Sequence, residues 1–197
     1  MFSFKYALSH LRHQLKANNR HGLHSPFVYR LVDEVIYDFS EKKIYQQISK
    51  VVPDGKKLTS VDKLLYRLVA DANPGVMWIL GKHTAADLHI LQQAAPVVKQ
   101  VSINDTAAWR DPVTPGVYFI DARLNPQGAI DHFNRLLGKT NADTMLIVHN
   151  IHAHMLTKAS WDVMRSHQKV TASVNLFWMG LLFFRPGQKK EDFWIKY

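Results

Sequence analysis

The sequence predicts an α/β protein: a largely parallel sheet covered by helices on both faces, with antiparallel strands at its C-terminal side and a helical region ahead of it. Three observations carry this reading. Unbroken apolar runs such as "VMWIL" and "TMLIV" suit strands buried on both faces, and segments of helical period separate them. The tail holds three β-rich runs with short breaks, "VTASVNLF", "GLLFFR" and "DFWIKY". About the first seventy residues, by contrast, carry helical spacing throughout.

Taken in order, Phe4, Leu8, Leu11 and Leu15 form an apolar stripe at helical spacing, with Lys5, Arg12 and Lys16 on another face. "NNRHGLH" breaks that helix, and Ser25-Pro26 restarts the chain as an N-cap followed by proline at the first helical position. Val28, Leu31, Val32, Val35 and Phe39 mark a second helix, residues 41 to 51 a third, and "PDGKK" a turn. Ser60 is placed to cap a fourth helix bearing Leu64, Leu65, Leu68 and Val69.

After Pro74 the first strand is "VMWIL". Gly81 follows, then a helix opened by the capping pair Thr84 and Asp87. "VKQVSI" and "GVYFID" are the next strands. Asn125-Pro126 opens a helix that Gly138 closes, and "TMLIV" precedes a helix centred on Trp161 and Met164. The boundary expected is a helical region over 1–72 packing on a sheet domain over 73–197.

The 197 residues suit one domain with an appendage, and 47% apolar content supports a packed core. The absence of cysteine excludes disulfides, thiolate metal sites and a thiol nucleophile. A charged start without a signal-type apolar region, and no run long enough to span a membrane, give the expectation of a cytoplasmic protein. Twenty-five Lys and Arg against sixteen Asp and Glu leave +9, which points to anionic partners such as nucleic acid or an acidic membrane surface. The excess is uneven: Lys5, Arg12, Lys16, Arg20 and Arg30 all precede the first acid, Asp33.

Several segments in order, "NRHGLHSPFVYRLVDEVI", "LLYRLVADANPGVMWILG", "VYFIDA", "IVHNIHAHM" and the tail from Val170, resemble a bacterial family of small class I S-adenosylmethionine (SAM)-dependent methyltransferase-like proteins. The resemblance implies a Rossmann-like class I methyltransferase sheet, with SAM at the C-terminal strand ends near the first strand–helix turn. It places Gly81, His83, Asn104 or Asp105, and Asp121 near the cofactor.

The match is incomplete in three ways. Family members have an acid two residues before the first glycine and a later glycine in the loop; the matching residues are Ile79 and Ala85. Asn104 stands where an acid would meet the ribose hydroxyls. Only twelve residues, "DTAAWRDPVTPG", separate Asn104 from "VYFID", too few for the usual further helix and strand, so one sheet edge should be truncated.

Some such O-methyltransferases bind a divalent cation through residues that correspond to Asp121, His149 and Asn150. Imidazole in place of a carboxylate would favour zinc-like ions over magnesium. A bound metal is nevertheless not the expectation here, because histidines at strand ends are commonly structural. His152 is the candidate general acid or base, since imidazole titrates near neutrality. His21 and His24 are read as a structural corner between two helices.

Two functional classes follow: an active methyltransferase on an unknown acceptor, or a relative with weakened or lost SAM binding, a pseudoenzyme that keeps the scaffold to bind a partner. A basic nucleic-acid-binding module is a further alternative.

Overall fold

The computed structural model describes residues 4–18, 24–52, 57–97, 99–103 and 116–197. In these, helix α1 (Phe4–Lys16) is followed by α2 (Pro26–Arg30), which runs on as a π-helical stretch over Leu31–Ile36. Helices α3 (Lys43–Val51) and α4 (Ser60–Ala72) complete the helical region. The sheet region then alternates β1 (Val76–Leu80), α5 (Ala85–Ala94), β2 (Lys99–Ile103), β3 (Val117–Asp121), α6 (Pro126–Leu136), β4 (Met145–His149) and α7 (Met155–Ser166). Strands β5 (Ala172–Asn175), β6 (Met179–Phe183) and β7 (Glu191–Trp194) close the chain.

The strand order is β2-β1-β3-β4-β6-β5-β7. Among the described residues β2 is the outermost strand at one edge; residues 104–115, on which the expected truncation of that edge rests, lie outside the described residues. The opposite edge is formed by the last of the three β-rich runs. β7 adds parallel to β5, and Asn18 beyond α1 forms an isolated parallel bridge with Ile195.

Of the three C-terminal strands only β6 runs against the others, pairing antiparallel with both β4 and β5. The short break between β5 and β6 gives a hairpin, but the second break, with its Pro186-Gly187 turn, returns β7 to the far side of β5. The expected run of antiparallel strands is therefore corrected to one.

Side chains alternate between two cores, as the two-residue period of a strand requires. Met77, Ile79, Val117, Phe119 and Ile147 join residues of α2 to α5, while Trp78, Leu80, Tyr118, Ile120 and Val148 join residues of α6 and α7. The first cluster combines residues of the helical region and of the sheet.

Local signals mostly hold. Ser25 accepts from the Val28 amide with Pro26 at the first helical position, and Asn125 accepts from Gly128. The cap of α4 is Thr59 rather than Ser60. Thr59 and Asp62 satisfy each other's backbone N–H groups, which leaves Ser60 as the first helical residue. The buried Arg67 donates to the carbonyls of Val35 and Ile36 and to the Tyr197 hydroxyl, so it satisfies acceptors at the end of the π-helical stretch.

Helix α1 departs most from its sequence pattern. Its packed face carries Tyr6, His10, His13 and Ala17, not the leucines. Tyr6 and His10 meet Phe177 and Trp178, while His13 meets Phe177 and Trp194. Aromatic edges that need ring partners decide the docking.

Gly180 in β6 lies under the buried Trp161, and a methyl group there would press into the indole. Gly180→Ala should cost roughly 1–3 kcal/mol through overpacking. Gly138→Ala, with open space around it, should stay within about 0.5 kcal/mol of the parent. Denaturant midpoints of the two variants check both values.

Candidate functional site

The sheet changes winding direction between β1 and β3, because α5 covers one face and α6 the other. In open α/β sheets the crevice beyond the strand ends at such a point is where ligands bind. Here the register pairs Leu80 with Ile120, so Gly81 and Asp121 follow at adjacent ends, and it sets Asp121 opposite His149.

Gly81 has φ +72°, a left-handed conformation suited to glycine, and its N–H donates to the Ile103 carbonyl at 2.7 Å. His83 turns back on the loop, with Nδ1 3.3 Å from the Gly81 carbonyl oxygen. Ile79 is fully buried and belongs to the apolar core. Asn104 and Asp105 lie outside the described residues.

Asp121 is the centre of a closed polar cluster. Its side chain is inaccessible to solvent and accepts from the Arg123 amide at 3.0 Å and the Arg123 guanidinium at 3.1 Å. It also accepts from the Asn150 side-chain amide at 2.9 Å. Asn150 reaches it from a left-handed turn, φ +61°, a conformation that asparagine tolerates better than most residues.

Asp87 was legible in the sequence only as a capping residue. In the structure it does cap α5, accepting from the Thr84 hydroxyl at 2.6 Å and the Thr84 amide at 3.1 Å. Its other oxygen faces His149 Nδ1 at 3.3 Å. Burial pushes the Asp87 carboxyl up, but His149 and the Thr84 donors outweigh that and hold it below the ordinary value. Arg123 was likewise missed, although it stands two residues beyond Asp121.

Asp121, His149 and Asn150 therefore do converge, and Asp87 joins them. Asp87, Asp121 and His149 offer ligand atoms within 4.8 Å of one another, a donor set of the kind that binds zinc-like ions. Asn150 turns its side-chain amide N–H to Asp121. Both carboxylates are hydrogen-bonded without any ion. A cavity of about 300 Å³ opens beside the cluster, between the start of α4 (Lys57, Thr59) and that of α5 (Thr84, Asp87), with Arg123 and His149 on its wall.

His152 sits elsewhere, on a separate cavity of about 240 Å³ that Tyr6, Ser9 and Lys158 also line. Its ring stacks on Phe177 with 4.7 Å between centroids, and Nε2 lies 3.3 Å from the Asn175 amide nitrogen. Burial, reinforced by His13, pushes its pKa down to about 4. At neutral pH it is an uncharged ring packed under α1. Of the other histidines read from sequence, His24 is exposed and His21 lies outside the described residues.

Asp87→Ala should destabilise the fold by about 1–2 kcal/mol, the usual range for a lost cap, read from the thermal midpoint. A separate effect should appear with pH. Since the folded pKa of His152 is depressed, its contribution is complete above the unfolded value of about 6.5 and lost as pH falls toward about 4. Chemical denaturation across that window should show stability falling with acid, and His152→Gln should flatten the fall. His13, shifted downward mainly by burial, leaves a residual slope.

Among solved structures, the chain is similar to the O-methyltransferase TomG from Streptomyces achromogenes, involved in tomaymycin synthesis and solved in complex with SAM. The identity is 14% and the TM-score 0.51, over 80% of this chain and 95% of that one. An O-methyltransferase from Bacillus cereus in complex with SAH aligns at 12% identity and a TM-score of 0.47, over 80% of this chain and 97% of the other. No family model matches the chain, and no curated protein matches it. The likeness to TomG is one of fold: a mixed α/β, Rossmann-like methyltransferase architecture.

Proposed function

We propose that this methyltransferase-like scaffold is a divergent relative in which the grip on SAM is weakened or lost, and that the chain works by binding a partner rather than by methyl transfer. One observation carries the reading: among the described residues, each buried carboxylate of the crevice at the strand ends already has a partner within the protein. The position near the end of β1 that the family resemblance assigns to an acid holds Ile79, fully buried among apolar side chains. Asp121 is neutralised by Arg123 and hydrogen-bonded by Asn150, and Asp87 is taken up by Thr84 and His149.

The methionine end of SAM brings an ammonium beside a sulfonium. Taking an ammonium out of water without a paired carboxylate costs several kcal/mol. The described residues of the loop do not fit that group, and the exposed Lys82 adds a like charge. The net charge of +9 favours an anionic partner.

Titration calorimetry and thermal shift with SAM and with S-adenosylhomocysteine test this. No heat and no shift are expected up to about millimolar ligand. A ligand at a hundred times its Kd stabilises the folded state by about 2.7 kcal/mol, which a melting curve registers readily. Saturable micromolar binding would overturn the reading in favour of an active methyltransferase on an unknown acceptor.

A further inference from the structure

Helix α1 is docked by the face opposite its leucines. At 100° per residue, Leu8, Leu11 and Leu15 share an arc of about 60°, and Tyr6, His10, His13 and Ala17 share another of similar width on the far side. The second arc is packed. His13 and Ala17 are buried, and the rings of Phe177, Trp178 and Trp194 cover this side. The first arc faces water: Leu8 is 36% exposed, Leu11 55% and Leu15 80%. Arg12 and Lys16 flank it, both exposed, and Lys16 also lies over the Trp194 ring at 4.1 Å.

Scattered exposed leucines are ordinary, but an aligned row along a helix with a basic flank is not. The sequence around it is wholly cationic, with five Lys and Arg through Arg30 and no acid before Asp33. A second copy of the helix would bring like charges together over the same leucines. Nucleic acid would meet the cations but leave the leucines in water. An anionic lipid surface satisfies both, with leucines entering the acyl boundary and cations lying at the headgroup level.

We propose that the outward face of α1 is a docking surface for an anionic membrane, on which the helix lies flat while its aromatic and histidine face stays on the domain. The inference stands whether or not the crevice binds SAM. No helix among the described residues is long and apolar enough to cross a membrane, so the contact is peripheral.

Flotation of the full chain with vesicles checks it. Vesicles of phosphatidylcholine with about one-third phosphatidylserine should carry the protein up the gradient, and vesicles of phosphatidylcholine alone should not. Added salt should weaken the binding. The double variant L11Q/L15Q should bind at least about tenfold more weakly with a nearly unchanged melting temperature, because both side chains are already largely exposed. Arg12→Gln should lower binding to the anionic vesicles by several-fold.

Failure of the parent chain to float with the anionic vesicles would overturn the proposal. Equal binding to neutral vesicles, or full binding by L11Q/L15Q, would do the same. So would a leucine-dependent dimer in sedimentation equilibrium without lipid binding, which would assign the face to self-association.

Discussion

Burial of the sheet on both faces is the constraint on which the rest of the molecule depends. Every residue of β3 and of β6 is buried, so helices must cover both sides, and the chain supplies α2 to α5 for one and α6 and α7 for the other. Splitting the helices between faces creates the point between β1 and β3 where the winding reverses. The crevice at the strand ends is a consequence of covering the sheet, and only its chemistry is specific to this chain.

That chemistry follows from the cost of burying charge. A carboxylate removed from water needs several donors, and Asp121 finds them in Arg123 and Asn150 while Asp87 finds them in Thr84 and near His149. The two carboxylates that make the crevice polar are each held by neighbours within the protein, while His149 Nδ1, 3.3 Å from Asp87, has no hydrogen-bond partner among the described residues. Ile79 belongs to the same logic: at a position facing α5 it extends the core, where an acid would need a cationic partner in every state of the protein.

Much of this was legible in the residues. Gly81, the Thr84–Asp87 pair and Asn125-Pro126 mark chain reversals through short-range backbone demands, and the structure uses each of them as the sequence implies. The meeting of Asp121, His149 and Asn150 was also readable, though only through the family resemblance. Two things were hidden. Asp87 looked like a cap because its second contact, His149, lies sixty-two positions away and depends on strand order. The outward turn of the α1 leucines is hidden because periodicity reports that a helix has an apolar face, not which face meets the protein.

The sequence by itself determined the alternation of strands and helices, the caps and turns that separate them, and the excess of positive charge at the N-terminal end. Those are matters of local backbone preference and composition, which neighbours along the chain decide. Only the tertiary structure decided the single reversed strand, the β7 edge, the partners of the buried carboxylates and the outward turn of the α1 leucines. Each of these depends on which surfaces lie close after folding, and the aromatic edges of the tail competed for α1 more effectively than its own leucine stripe.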